Sequence, residues 1–204
     1  MELNRNELKI LELFQKDIFL KISILEIMKK IKSKSYQRVY EAIGLLVKKN
    51  VLSLEKIGNI SLISLKLSRE TIILLGFLEE TEGIKKNIPN YSKILEIREI
   101  SDYLILITGS YASNKFTKKS DLDLVIIVSD NESIVKIQKL VENKTMLFIP
   151  QIHLYVFTKK DFIEMLKNNE KNYGKEIVKN KIILKNAQKF YELIKEAIEN
   201  GYKS

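Results

Sequence analysis

The sequence of 204 residues contains no cysteine and a single histidine. Disulfide bonds and thiolate metal sites are therefore excluded, and so is any metal centre built from several histidines. No apolar run approaches the 18 or more residues of a membrane-spanning helix, and the N-terminal residues MELNRNELKI lack the apolar core of a signal peptide. We therefore expect a cytoplasmic protein with no membrane partner.

The composition is strongly basic. Lys and Arg number 35 and Asp and Glu number 26, which gives a formal net charge of +9. Such an excess of positive charge suggests an anionic partner. The same lysines could equally be ordinary solvated surface residues of a chain rich in Ile, Lys, Asn and Glu, so their distribution matters more than their total. The length fits one domain or two small ones.

Residues 103 to 130 are the most informative stretch of the chain. An apolar strand ends at Gly109, a polar loop with several lysines follows, and a second apolar strand opens with Asp121 and Asp123. Alternate residues of a strand point to the same face, so the two carboxylates should lie side by side. They repel each other unless a cation lies between them. A Mg²⁺ ion held by one or two carboxylates and by substrate phosphates fits that arrangement.

The Gly109-Ser110 turn supplies the features needed to bind a phosphate. Glycine lets the backbone approach an anion closely, and free N–H groups together with the Ser110 hydroxyl can hold phosphate oxygens. A simpler interpretation is that Asp121 only terminates a turn. However, Asp123 lies inside an otherwise apolar strand, where a buried carboxylate without a partner is costly. The pattern therefore predicts a site for a metal-bound triphosphate.

This pattern resembles the nucleotidyltransferase superfamily typified by DNA polymerase beta, and most closely its minimal nucleotidyltransferases. Their signature is a strand, Gly-Ser, a loop of about ten residues, and Asp-x-Asp at the start of the next strand. Gly109 and Ser110 occupy the first pair of positions, and Asp121 and Asp123 occupy the second pair. The resemblance implies transfer of a nucleoside monophosphate from an NTP to a hydroxyl acceptor, which is a protein side chain or a nucleic-acid end. It also implies that the two aspartates bind Mg²⁺ or Mn²⁺.

His153 is the main departure from the family pattern, because the resemblance implies a third carboxylate at its position. An imidazole can accept a proton or bind a metal through nitrogen, but it lacks the negative charge that attracts a second Mg²⁺. Three interpretations stay open: His153 acts as a catalytic base, the site binds nucleotide with little or no chemistry, or Asp161 or Glu164 serves instead. A lone histidine in an apolar strand is also commonly packed in the core.

The N-terminal third predicts three short helices followed by a β-hairpin that turns at Gly58-Asn59. This order is typical of a winged helix-turn-helix, and the hairpin resembles the wing of archaeal and bacterial transcription regulators. Between Glu26 and Glu41 every charged residue is basic, as expected of a recognition helix that enters the major groove. The predicted DNA contacts are Lys34, Ser35, Tyr36, Gln37, Arg38 and Tyr40, with Lys56 and Asn59 in the wing. The alternative is that this domain docks on another protein.

The predicted fold is therefore α/β, with three segments. These are a winged helix-turn-helix at 1–67, a connecting helix and linker at 68–90, and a nucleotidyltransferase-like domain at 91–204 with a small mixed sheet flanked by helices. The connecting helix is apolar enough to support a homodimer. Tyr173 and Lys175 either contribute to a nucleotide or polynucleotide surface or lie in a solvated turn, and the turn is the expectation. Two functions fit: a DNA-binding, Mg²⁺-dependent nucleotidyltransferase, or a transcription regulator whose weak or inactive transferase domain senses nucleotide or dimerises.

Overall fold

A computed structural model of the chain describes residues 3–58 and 60–203. The predicted DNA contact Asn59 lies outside the described residues. The architecture is mixed α/β, with helices and two small sheets, as predicted. The chain divides into two compact units, the first extending to Leu75 and the second running from Gly76 to Lys203. Within the part of the chain that the structure describes, none of the helices is long and apolar enough to cross a bilayer.

The described part of the first unit begins with helices and includes a three-stranded antiparallel sheet. Its elements before α4 are α1 (Arg5–Lys16), β1 (Lys21–Ser23), α2 (Ile24–Lys30), α3 (Tyr36–Lys48), β2 (Leu52–Ile57) and β3 (Ile60–Leu65). The strand order in the sheet is β1-β3-β2. Strands β2 and β3 pair from Leu52 opposite Leu65 to Ile57 opposite Ile60. The core consists of buried apolar residues from α1, α2, α3 and the sheet. Helix α4 (Arg69–Lys85) begins in this unit and continues into the second.

The second unit carries a four-stranded mixed sheet. Its elements after α4 are α5 (Tyr91–Leu95), a short 3-10 helix (Arg98–Ile100), β4 (Leu104–Ile107), α6 (Gly109–Ala112), β5 (Leu122–Val128), α7 (Ile134–Thr145), β6 (Ile152–Thr158), α8 (Lys159–Lys167), α9 (Tyr173–Lys179), β7 (Ile182–Lys185) and α10 (Ala187–Glu199). The strand order in the sheet is β6-β5-β4-β7. Strand β4 is antiparallel to β5 and β7, whereas β5 and β6 are parallel. The two central strands, β4 and β5, are the most apolar.

Strand β5 packs against the core on both faces and carries Asp123 near its beginning. Its residues Leu122, Leu124 and Ile126 are fully buried in an apolar cluster with residues of α5 and α7. Because side chains alternate along a strand, Asp123 points to the opposite face of the sheet, which it shares with the buried residues Val125 and Ile127. The apolar residues of β5 thus fix the strand on both faces and hold the carboxylate at its beginning.

Candidate active site

The turn after β4 forms the first wall of the candidate site. Thr108 is fully buried, and its backbone N–H donates a hydrogen bond to the carbonyl of Asp123 at 3.0 Å. The chain then enters the four-residue helix α6 at Gly109, where the sequence had predicted a loop immediately after Gly-Ser. The first N–H groups of a helix have no acceptor within the helix. The backbone at Gly109-Ser110 can therefore donate hydrogen bonds to an anion.

Gly109 is required by the close approach of Asp123. A Cβ atom added at Gly109 would lie only 2.0 Å from Oδ2 of Asp123. The backbone of Gly109 also has φ +65°, a left-handed conformation that glycine adopts at little cost. The predicted Gly-Ser turn and the predicted Asp-x-Asp strand therefore meet in space. Asp123 lies where the Cβ atom of any other residue at position 109 would be.

The two aspartates differ in their surroundings. Asp123 is partly buried, with 24% of its side chain exposed, whereas Asp121 is exposed and immediately precedes β5. Burial raises the pKa of the Asp123 carboxyl above its ordinary value, the contact with His153 opposes this shift, and the negative charges of Asp121 and Glu176 add to it. The negative charges of Asp121 and Glu176 therefore disfavour the ionised form of Asp123.

His153 lies directly beside Asp123. In the parallel pair β5–β6 the two residues are opposite each other, and Nδ1 of His153 is 3.3 Å from Oδ1 of Asp123. The imidazole is 59% exposed, so His153 is not the packed core histidine that an apolar strand suggested. His153 contacts Asp123, whereas the alternative acids, Asp161 and Glu164, lie on α8 and have other partners. Asp161 accepts a hydrogen bond from the Thr158 N–H, and Glu164 pairs with Lys167 at 2.9 Å.

Two tyrosines form a second wall of the site. The Tyr155 hydroxyl lies 3.3 Å from Nδ1 of His153, and the ring centroids of Tyr155 and Tyr173 are 4.7 Å apart. The hydroxyls of Tyr173 and Thr108 form a hydrogen bond of 2.7 Å. Burial raises the pKa of Tyr173 to about 12. Tyr173 begins helix α9 and is half-buried at the site, so the expectation of a solvated turn was wrong.

Sequence reasoning missed Thr108, Tyr155 and Glu176 as neighbours of the site. Tyr155 could have been found, because it lies two residues after His153 on the same strand face. Thr108 precedes the Gly-Ser pair directly. Glu176 gave no local signal, because its proximity depends on how α9 packs against the sheet.

The donor set suits a divalent cation that completes its coordination with substrate oxygens. Asp121 and Asp123 offer the oxygen ligands that Mg²⁺ prefers, and the absence of a side chain at Gly109 lets the Asp123 carboxylate lie against the phosphate-binding turn. The nitrogen of His153 suits Mg²⁺ less well. Among residues 3–58 and 60–203, no three His, Asp or Glu side chains are arranged to hold one ion by themselves. The residues therefore fit a cation held jointly by the aspartates and by the phosphates of a bound nucleotide.

The predicted DNA-contacting residues of the first unit lie near the start of α3 and on β2. Ser35 caps α3, its hydroxyl accepting a hydrogen bond from the Arg38 N–H at 3.3 Å. Gln37 donates to Glu41 at 2.8 Å, so its amide is already engaged. The predicted contacts with exposed side chains are Lys34, Tyr36, Gln37, Arg38, Tyr40 and Lys56. The structure therefore leaves most of these side chains accessible to a partner.

Comparison with known proteins places the second unit in a family. The model of the family described as "Nucleotidyltransferase domain" matches residues 88–196, more than half of the chain. A Methanocaldococcus jannaschii protein named "Putative protein adenylyltransferase MJ1547" is 29% identical over 101 residues, which cover 49% of this chain and 79% of the relative. No solved structure matched the chain. The chain belongs to the nucleotidyltransferase domain family.

Proposed function

We propose that this protein transfers a nucleoside monophosphate from an NTP to a hydroxyl acceptor and releases pyrophosphate. One observation carries the proposal: the backbone of Gly109 lies against the Asp123 carboxylate. This contact supports a single site made of a phosphate-binding turn and a cation-binding acid. Membership of the nucleotidyltransferase family supports the reaction class. The remaining residues of the site are assigned roles by their chemistry.

Gly109 and Ser110 are proposed to hold the β- and γ-phosphates through backbone N–H groups and the Ser110 hydroxyl. Asp121 and Asp123 would hold Mg²⁺ or Mn²⁺. When bound, such a cation neutralises the charge that develops on the leaving pyrophosphate. His153 contacts Asp123 and is proposed to orient that carboxylate at the side where the acceptor hydroxyl enters. The catalytic roles of Asp121, Asp123 and His153 stay predictions.

The M. jannaschii relative is named for adenylyl transfer to protein. We therefore propose ATP as the first nucleotide to test and a protein hydroxyl as the first acceptor. A nucleic-acid end is the second acceptor to test.

Incubation with α-labelled ATP, Mg²⁺ and candidate acceptors tests the enzyme. We expect label transfer by the wild type, its loss in Asp121→Asn and Asp123→Asn, and its retention in the control Asp102→Asn, an exposed residue before β4. Folding of each variant is checked by circular dichroism. Transfer that persists in both site variants would contradict the assignment of the aspartates.

We also propose that the first unit is a winged helix-turn-helix that binds DNA through α3 and the β2–β3 hairpin. The exposed side chains of Lys34, Arg38 and Lys56, together with the excess of basic residues, support an electrostatic contact with phosphates. Replacing Lys34 and Arg38 together by Ala should weaken DNA binding. It should also make the logarithmic salt dependence of the affinity shallower by about two charges.

The control is the double variant Arg5→Ala and Lys16→Ala, which removes the same charge from exposed positions of α1. Gel shifts or fluorescence anisotropy at several salt concentrations measure the effect. Equal losses in both double variants would indicate that only net charge matters and that α3 is not a recognition helix.

The second candidate function is a transcription regulator whose nucleotidyltransferase domain turns over slowly or not at all. The imidazole beside Asp123 favours it, because His153 contributes no negative charge while neutral. Tight, salt-sensitive binding to promoter DNA without label transfer to any acceptor would support the regulator over the enzyme.

We further propose that the chain forms a homodimer through α4. Phe77 and Ile84, both on this helix, are 66% and 65% exposed, and large apolar side chains are rarely left open to water in a group. Phe77→Lys should shift the mass measured by light scattering from dimer to monomer, whereas the exposed Lys85→Ala should not. A monomeric wild type at micromolar concentration would remove this proposal.

A further inference from the structure

The loop between α7 and β6 exposes large apolar side chains in close succession. Met146, Leu147 and Ile149 are 74%, 85% and 89% exposed, the highest values for large apolar residues among residues 3–58 and 60–203. Single apolar side chains on a surface are ordinary, whereas a group of them marks a contact site. This apolar loop (residues 146–150) is therefore a candidate contact surface.

The backbone of the apolar loop is anchored to the second unit. Phe148 packs against the core of this unit, and Nζ of Lys93 lies 5.5 Å from the centre of its ring. The Phe148 N–H donates to the carbonyl of Thr145 at 2.9 Å, and the side-chain amide of Asn90 donates to the carbonyl of Ile149 at 3.1 Å. A partner therefore meets the exposed side chains without paying the entropy of ordering a flexible loop.

The apolar loop adjoins the candidate active site. It is followed by Gln151, whose carbonyl accepts a hydrogen bond from the Leu122 N–H at 2.8 Å. In the sequence, Leu122 lies between the two aspartates of the site, and Gln151 lies two residues before His153. Four residues of extended chain span at most about 14 Å, so the backbone of Ile149 lies within that distance of the backbone of His153. A polypeptide bound at the site can therefore reach the loop with a nearby residue.

The chemistry of the apolar loop favours a protein as its partner. No Lys, Arg, Asp or Glu occurs between Lys144 and Lys159, in a chain of which 30% is charged. Nucleic acids are held through their phosphates by basic side chains, and the loop carries none. Segments that bind anionic lipids combine apolar residues with basic ones, whereas Lys144 beside the loop is paired with Glu99 at 2.7 Å. Burial against an apolar segment of a protein suits the loop best.

We propose that the apolar loop is the docking surface for the acceptor protein, where it binds an apolar side chain within about four residues of the hydroxyl to be modified. The proposal rests on the proposed function and names its acceptor class. Burial of Leu147 and Ile149 on docking holds the acceptor beside the site without the use of charge. The acceptor oxygen then bonds to the α-phosphorus of the NTP, pyrophosphate leaves, and the hydroxyl proton passes to solvent.

Synthetic peptides with one acceptor hydroxyl test this docking surface. Each peptide carries a single Tyr, Ser or Thr in a polar background, with one Leu at successive distances from the hydroxyl or with no Leu. With α-labelled ATP and Mg²⁺, we expect the wild-type kcat/KM to be about tenfold higher when the Leu lies within about four residues of the hydroxyl. Leu147→Gln and Ile149→Gln should each lose most of that preference. N-acetyl amides of Tyr, Ser and Thr are too small to reach the loop, so the wild type and both variants should label them equally.

The matched control is Val135→Gln. Val135 is 61% exposed near the start of α7, about 15 Å along the helix from the end that leads into the loop. This variant should keep the preference for Leu. Thermal unfolding should be nearly the same in all four proteins, because the three substituted side chains are exposed.

The outcomes separate the docking surface from the proposed function. A wild type that labels the small amides but shows no preference for Leu overturns the docking surface and leaves the proposed function standing. An equal loss of preference in Val135→Gln, or label found only on nucleic-acid ends, has the same consequence. A wild type that labels no acceptor of any kind overturns both.

Two further measurements test other partners for the apolar loop. Flotation with vesicles of phosphatidylcholine and phosphatidylglycerol would assign the loop to a membrane if the wild type binds and Leu147→Gln does not. Light scattering would assign the loop to a second copy of the chain if Leu147→Gln lowers the mass. Either result overturns the docking surface, and we expect neither.

Discussion

At the scale of single residues, the candidate site depends on the absence of a Cβ atom at Gly109. The Asp123 carboxylate occupies the place where a side chain at position 109 would begin. The same carboxylate is held from the other side by His153 at 3.3 Å. The Asp123 side chain is thus held between Gly109, which has no Cβ atom, and the imidazole of His153.

Gly109→Ala should abolish nucleotidyl transfer and displace Asp123, because the new Cβ would fall 2.0 Å from its Oδ2. Alanine at a positive φ also destabilises a fold, here by more than about 1 kcal/mol. Transfer activity and urea denaturation measure the two effects. The matched control is Gly44→Ala, where an added Cβ meets no atom within 4 Å. Full activity in Gly109→Ala would show that Asp123 is not placed by this contact.

At the scale of elements, a reciprocal cap joins β6 to α8. The Thr158 hydroxyl accepts from the Asp161 N–H at 3.1 Å, and the Asp161 carboxylate accepts from the Thr158 N–H at 3.0 Å. Such a capping box satisfies two N–H groups that the helix cannot satisfy itself. It also explains why Asp161, considered as an alternative catalytic acid, is engaged outside the site.

Thr158→Ala should lower the free energy of unfolding by about 1 kcal/mol, because the hydroxyl of the cap is lost. Thr158→Ser keeps a hydroxyl and should retain most of that stability. Urea denaturation followed by circular dichroism compares the variants. Nucleotide-dependent Mn²⁺ binding should be unchanged in both, since neither substitution touches Asp121 or Asp123. An equal loss of stability in the two variants would assign the effect to packing of the methyl group.

At the scale of the whole molecule, buried tyrosines make stability depend on alkaline pH. Burial raises the pKa of Tyr173 to about 12, and burial together with Glu79 raises that of Tyr191 well above its ordinary value. In the unfolded chain a tyrosine titrates near about 10. Above that pH the unfolded chain binds fewer protons than the folded one, so stability falls as pH rises.

We therefore expect the stabilising contribution of Tyr173 to be complete below about pH 10 and to be lost as pH rises toward about 12. Tyr173→Phe removes the hydrogen bond to Thr108 at every pH, but its stability should fall less steeply over this interval than that of the wild type. Denaturant unfolding at a series of alkaline pH values measures both slopes. Equal slopes would mean that Tyr173 titrates alike in the folded and unfolded chains.

The sequence predicted the reaction family and the mixed α/β class, and both predictions are confirmed. Local pattern was sufficient for the strands: the apolar runs on either side of Gly109-Ser110 correspond to β4 and β5, and Asp123 lies near the beginning of β5. It was not sufficient at α6, because a four-residue helix carries too few turns for a periodic signal.

The sequence by itself determined which residues are proposed to carry the chemistry, because glycine, serine and aspartate at fixed spacing on two strands have few other uses. Only the tertiary structure decided what surrounds them. Parallel pairing of β5 with β6 set His153 beside Asp123, and the packing of α9 brought Tyr173 against Tyr155 and Thr108. Strand pairing and helix packing bring together residues that are far apart in the chain. These contacts are stabilised by the packing of the whole core, so no local segment of the sequence specifies them.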